Sequence, residues 1–232
     1  FKKFLSKSQT AHICSSNKTH LKYCNYFLKL NIKFIVEKPI VDNSKKLKEI
    51  KFDNKSKYLV NYIDLFNYDF IKINRLLHKY KNERINLDII YSNNFQKYKI
   101  KNQFLKGWLD HPLSIILFTK KKYPKFKIRK IEISKDSKKK YNENLEVEYK
   151  FKKMKITFLI TNHFKKQRLI NIQTLNKKYC FDLGKNFDVR KSSFYRLYRN
   201  LKYIDNSKLK FSSIFHKKVL VEKEKLLRFI DK

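Results

Sequence analysis

Residues 11–36 carry the pattern that most limits how this chain can fold: strand, polar turn, amphipathic helix and strand, in immediate succession. Ala11–Cys14 reads as a strand end, followed by the turn Ser15-Ser16-Asn17-Lys18-Thr19. From about His20 to Leu30 the residues Leu21, Cys24, Phe27 and Leu28 recur at helical spacing on one face, with Thr19 as candidate N-cap. Asn31 stands where a left-handed residue closes a helix. Ile32–Val36, β-branched and aromatic, predicts a buried strand that stops at Glu37-Lys38-Pro39. Two strands joined by a helical crossover pair in parallel. The expectation is therefore the C-terminal part of a doubly wound parallel sheet.

Beyond a short helix expected at Ser44–Ile50, the pattern changes. Tyr58–Leu65 alternates like a strand, Asn67–Tyr80 is a helix with Phe70, Ile73, Leu76 and Leu77 inward, and Ile85–Tyr91 is a strand. Trp108–Thr119 reads as an apolar helix. Strands follow at Phe126–Ser134, Leu145–Phe151, Lys155–Thr161, Leu169–Leu175 and Lys178–Asp182, with a hairpin loop at Asp136–Tyr141. Helices at Ser192–Tyr203 and Glu222–Ile230 close the chain. The fold class is α/β plus α+β: a partial doubly wound domain over residues 1–57, then an α+β domain with an open, mainly antiparallel sheet over 58–232.

Composition removes several functions. With only Gly107 and Gly184, the chain holds no G-x-G-x-x-G, G-x-x-x-x-G-K-[ST] or G-x-S-x-G. Cys14, Cys24 and Cys180 form no C-x-x-C and the six histidines no H-E-x-x-H, so no metal site is expected and the cysteines read as small core side chains. No apolar run approaches the ~20 residues of a membrane helix, and no signal-peptide pattern opens the chain. A cytoplasmic, reducing location with no membrane partner is the expectation. The 57 Lys and Arg against 20 Asp and Glu leave a net charge of +37, spread along the whole chain as compositional drift toward A- and T-rich codons would spread it. Nonspecific attraction to polyanions follows, but no specific nucleic-acid partner. The alternative, a basic nucleic-acid-binding protein, requires clustered lysines and exposed aromatics for base stacking.

Three polar groups stand at places where α/β proteins bind ligands, beyond the carboxyl ends of parallel strands or facing them. They are Ser15-Ser16-Asn17 with His20, Glu37-Lys38-Pro39, and Trp108-Leu109-Asp110-His111-Pro112-Leu113-Ser114. The stretch His12-Ile13-Cys14-Ser15-Ser16-Asn17-x-x-His20, the helix after it, and Phe34-Ile35-Val36-Glu37-Lys38-Pro39 resemble the Gfo/Idh/MocA dehydrogenases. In that family a strand ends in T-P-N-x-x-H and the next in E-K-P. Val60-Asn61-Tyr62, Phe66-Asn67, the histidine-bearing helix, an open sheet and a terminal helix follow in the family's order.

The resemblance implies a Rossmann-type nucleotide domain, NAD or NADP as cofactor, and a sugar, polyol or sugar nucleotide as substrate. It places Ser15, Ser16, Asn17, Glu37, Lys38 and Pro39 at the cofactor, Lys38 and His111 as acid/base groups, and Tyr62, Asp110 and His111 at the substrate. His20 is open between cofactor contact and a packing role. The family's G-x-G-x-x-G is missing, so the resemblance puts the units that carry it upstream of Phe1. Ser16 stands where the family has Pro. The family's D-x-x-x-H reads Gly107-x-x-x-His111, with Asp110 next to the histidine, so the accompanying acid is displaced or absent. A homodimer or homotetramer through the open sheet is the expected assembly. A degenerate, non-catalytic member of the family is the remaining alternative.

Overall fold

The computed structural model describes residues 10–52, 58–93, 103–120, 127–135, 143–151, 153–162, 165–184, 193, 195–197 and 213–231. Its first sheet has three parallel strands in sequence order: β1 (Thr10–Ile13), β2 (Lys33–Val36) and β3 (Tyr58–Val60). Helix α1 (Asn17–Lys29) makes the crossover from β1 to β2. It starts at Asn17 rather than His20, because Ser16 takes the extended backbone of an N-cap (φ −65°, ψ 149°). Thr19 lies inside the first turn, where its hydroxyl donates to the Ser16 carbonyl. Asn31 does adopt the left-handed conformation, at φ 51°. Phe27, Phe34, Tyr58 and Phe52 form a continuous run of ring contacts beneath this sheet.

The strand expected over Tyr58–Leu65 ends at Val60. It is the third parallel strand, so the first sheet runs past residue 57, and all three of its side chains are buried. At the level where β2 ends, the Asn61 amide donates to the Val36 carbonyl and the chain turns into a 3-10 helix, Ile63–Phe66. A second 3-10 helix, Lys46–Glu49, stands where a short helix was expected. Asn67 caps α2 (Tyr68–Lys79) by accepting from the Asp69 amide.

The second sheet contains β4 (Ile85–Ser92), β5 (Lys127–Lys135), β6 (Glu143–Phe151), β7 (Met154–Thr161), β8 (Gln167–Gln173) and β9 (Lys178–Asp182), in the order β5-β6-β7-β4-β8-β9. Only β4 and β7 pair in parallel, so the open, mainly antiparallel sheet is as expected. Its inner rows, such as Leu87, Ile156 and Tyr149 or Ile89, Phe158 and Val147, are fully buried. The outer face, on which the assembly expectation rests, carries one partly exposed apolar row, Ile90, Leu159 and Leu169, among polar side chains. Asn86, Asp88, Lys155, Thr157, Glu146, Glu148, Asn171 and Gln173 dominate it, and Glu148 pairs with Lys155 at 2.7 Å.

The apolar helix expected at Trp108–Thr119 is two helices, α3 (Gln103–Trp108) and α4 (Asp110–Lys120). Pro112 has no amide hydrogen to offer the Trp108 carbonyl four residues back, which breaks the ladder there. The final helix, α5, runs Ser213–Ile230, well upstream of the expected Glu222. Phe215, Val219, Leu226 and Ile230 hold its buried stripe, and it packs against α4. The helix expected at Ser192–Tyr203 and the loop at Asp136–Tyr141 lie largely or wholly outside the described residues. No helix among the described residues is long and apolar enough to cross a membrane.

Candidate active site

The carboxyl ends of β1, β2 and β3 open on one edge. Ser15, Ser16 and Asn17 are exposed there at the N-terminus of α1, whose first turn holds no acid and whose cap makes no side-chain bond. The positive end of the helix dipole is therefore free to face oxygen atoms of a ligand. His20 points inward instead. It is fully buried, with Nδ1 2.9 Å from the Pro39 carbonyl and Nε2 2.9 Å from the Ser15 carbonyl, so it ties the turn after β1 to the end of β2. Its position is that of a packing and tethering residue. Glu37 is half-buried and accepts from Asn61 at 2.6 Å. The peptide bond between Lys38 and Pro39 is cis.

Lys38 reaches across to the second unit, where its Nζ donates to the Gly107 carbonyl at 3.0 Å, one helical turn before His111. Burial lowers the Lys38 pKa against the pull of Asp110, and Lys223 lowers it further. His111 is buried and packs against the rings of Tyr91 (5.3 Å) and Trp108 (5.4 Å), which also touch each other. Its Nδ1 is 2.6 Å from Asp64 Oδ2. Burial holds the His111 pKa down, Asp64 opposes this, and the charges of Lys38 and Arg168 lower it again. His111 thus senses the charge of Lys38 across the junction of the two sheets.

Asp64 is the residue that sequence reasoning missed. It is 2% exposed, on the 3-10 turn after β3, and receives three donors. Tyr91 Oη donates to Oδ2 at 2.7 Å, His111 Nδ1 lies at 2.6 Å, and Arg168 donates to Oδ1 at 3.2 Å. Tyr91 and Arg168 are direct cross-strand neighbours on β4 and β8, so the sheet register aims both at one carboxylate. Burial opposes ionisation of Asp64, but His111, Arg168 and Tyr91 outweigh it and hold the carboxyl at about 2. Ionised Asp64 only accepts, so Nδ1 of a neutral His111 carries the hydrogen and Nε2 keeps its lone pair. The one available sequence signal was an acid within the apolar run Ile63-Asp64-Leu65-Phe66.

These couplings set a pH dependence of stability. Asp64 titrates at about 2 when folded against an ordinary 3.8, and the His111 pKa is lowered from 6.5. In both cases the unfolded chain takes up its proton first as pH falls, so acid destabilises. Unfolding free energy should decline below pH 6.5 and more steeply between 3.8 and about 2. Urea titrations across that range should show the acid limb flattened in Asp64→Asn; an unchanged limb would remove this assignment.

The two further residues expected at the substrate, Tyr62 and Asp110, are both buried. Tyr62 is 3% exposed, with its ring against Phe215 and His216 of α5. Asp110 is 1% exposed, and its Oδ2 accepts from Lys223 at 2.7 Å. Its Oδ1 and the Nε of Arg168 are buried with no partner among the described residues, which suits contact with polar groups of a bound molecule. Cys24 is core, as expected, but Cys14 and Cys180 are exposed. The nucleic-acid alternative needed aromatics on the surface, whereas Tyr91, Tyr149, Phe34, Phe70, Phe158 and Phe215 are fully buried.

No family model matches the chain, and no curated protein does. Solved structures do. GenD2 from gentamicin A biosynthesis, in complex with NAD, superposes at TM-score 0.75 with 10% identity, over 100% of this chain and 79% of its own. UDP-N-acetylglucosamine 3-dehydrogenase GnnA from Acidithiobacillus ferrooxidans gives 0.72 with 9% identity, over 97% and 79%. A Gfo/Idh/MocA family oxidoreductase from Vibrio cholerae gives 0.67 with 10% identity, over 100% and 82%. The chain has the fold of the Gfo/Idh/MocA oxidoreductases, a Rossmann-like parallel unit followed by an open-sheet domain.

Proposed function

We propose that the chain is an NAD(P)-dependent oxidoreductase, or a fragment of one, acting on a hydroxyl of a sugar, polyol or sugar nucleotide. The observation that carries this reading is the reach of Lys38, from the end of a parallel strand, to the Gly107 carbonyl one helical turn before His111 of the buried His111–Asp64 pair. The substrate class draws on the dehydrogenase of similar fold that acts on UDP-N-acetylglucosamine. The cofactor draws on the one with NAD bound.

Ser15, Ser16, Asn17, Glu37 and Pro39 would hold the dinucleotide at this edge, the α1 N-terminus offering amide hydrogens to its oxygens and Glu37 an acceptor for a hydroxyl. A bound nicotinamide would supply the acceptor or donor of the hydride exchanged with the carbinol carbon. Oxidation also requires removal of the hydroxyl proton. Lys38 takes it, since its lowered pKa makes the neutral amine accessible. His111 presents Nε2 as hydrogen-bond acceptor or second base, its ring fixed by Asp64, Tyr91 and Trp108. Arg168 and Lys223 form ion pairs with Asp64 and Asp110 and hold these carboxylates in place.

Calorimetry on the intact gene product tests the cofactor half. NAD(H) or NADP(H) should bind, and Glu37→Ala should weaken binding about tenfold, the loss of one hydrogen bond to a charged group. Failure of both dinucleotides to bind would end the proposal.

A further inference from the structure

We propose that His12, Cys14 and Glu37 form a binding site for a divalent ion of the zinc class at the carboxyl edge of the parallel sheet. His12 and Cys14 are alternate residues leaving β1, so they share one face of the sheet. Ile13 pairs with Val36, and the Glu37 amide donates to the Ile13 carbonyl at 3.0 Å, which draws Glu37 to the same face. One nitrogen, one sulfur and one oxygen from the three residues lie within 4.8 Å of one another, and His12 Nε2 is 3.1 Å from Glu37 Oε1.

Zinc bonds of about 2.0–2.3 Å in a tetrahedron put donor atoms about 3.3–3.8 Å apart, so closure needs no more than small side-chain adjustments. Three protein ligands of N, S and O type leave a fourth position for water, the arrangement of zinc sites open to exchange. Asn61 Nδ2 donates to Glu37 Oε1 at 2.6 Å and orients the carboxylate, as outer partners of metal ligands do. A histidine–glutamate hydrogen bond alone would account for two of the residues. It gives no reason for a thiol beside them, at an exposed position where an ion can enter. Sulfur with imidazole nitrogen favours zinc-class ions over magnesium or calcium.

Glu37 is also assigned above to the cofactor edge, so the test uses the 232-residue chain without dinucleotide, and the two readings fail separately. Cobalt(II) serves as the probe. One equivalent should produce sulfur-to-cobalt charge-transfer absorption with tetrahedral visible bands, and zinc should displace it. Cys14→Ser should abolish the charge-transfer band, and His12→Ala should weaken cobalt binding at least tenfold. Cys180→Ser, on the outer face of the second sheet, should leave both unchanged. Absence of the band in the unsubstituted chain, or its persistence in Cys14→Ser, would overturn the site.

Discussion

Replacing Asp64 with alanine should destabilise the protein by about 3–5 kcal/mol, the cost of removing one partner from a buried ion pair. The magnitude follows from what stays behind. Arg168, whose Nε already lacks a partner among the described residues, would lose its carboxylate. The Tyr91 hydroxyl and His111 Nδ1 would lose their acceptor in the same step. Asp64→Asn keeps the volume and one acceptor oxygen and should cost less, about 1–3 kcal/mol. Urea unfolding should show the midpoint falling with an unchanged slope. The same variants separate stability from chemistry. If Asp64 positions His111, then Asp64→Asn should lower kcat and shift its pH profile under conditions where the variant is fully folded.

The largest effect on turnover is expected at Lys38. In the intact gene product, Lys38→Ala should reduce kcat by at least ~10²-fold, as loss of a positioned acid/base group does, with little change in dinucleotide affinity. The Lys38 ammonium is held at 3.0 Å from the Gly107 carbonyl, so a shorter side chain reaches neither that carbonyl nor the substrate position. His111→Ala should impair kcat less, because water can occupy the imidazole position while Lys38 remains. A Lys38→Ala enzyme with undiminished kcat would transfer the base role elsewhere.

The parallel unit was legible because its signals are local. Helical spacing across Leu21–Leu28, a left-handed Asn31 and the β-branched run into Val36 each act within a few residues, and all three hold in the structure. The second sheet was legible from alternation at Met154–Thr161 and its neighbours. The site was legible only in part. Lys38 and His111 were readable by resemblance to the family's motifs, whereas Asp64 meets His111 and Arg168 over separations of 47 and 104 residues. No spacing rule reports such contacts. Alternation through Tyr58–Leu65 instead suggested a strand, because a 3-10 turn that buries one acid among apolar residues has the same pattern. Cys14 was misassigned to the core by its size and polarity. Its exposure is set by strand register, which ends β1 at Ile13 and leaves the next residue at the open edge.

Hydride transfer is tested by following the hydrogen itself. Sugar nucleotides and polyols deuterated at their carbinol carbons, UDP-N-acetylglucosamine first, are incubated with the intact gene product and oxidised dinucleotide, and the reduced dinucleotide is analysed by mass spectrometry. Deuterium is expected on the nicotinamide ring, at a rate that falls at least ~10²-fold in Lys38→Ala. Bound dinucleotide that acquires no deuterium from any of these substrates, or acquires it equally fast in Lys38→Ala, would contradict this expectation.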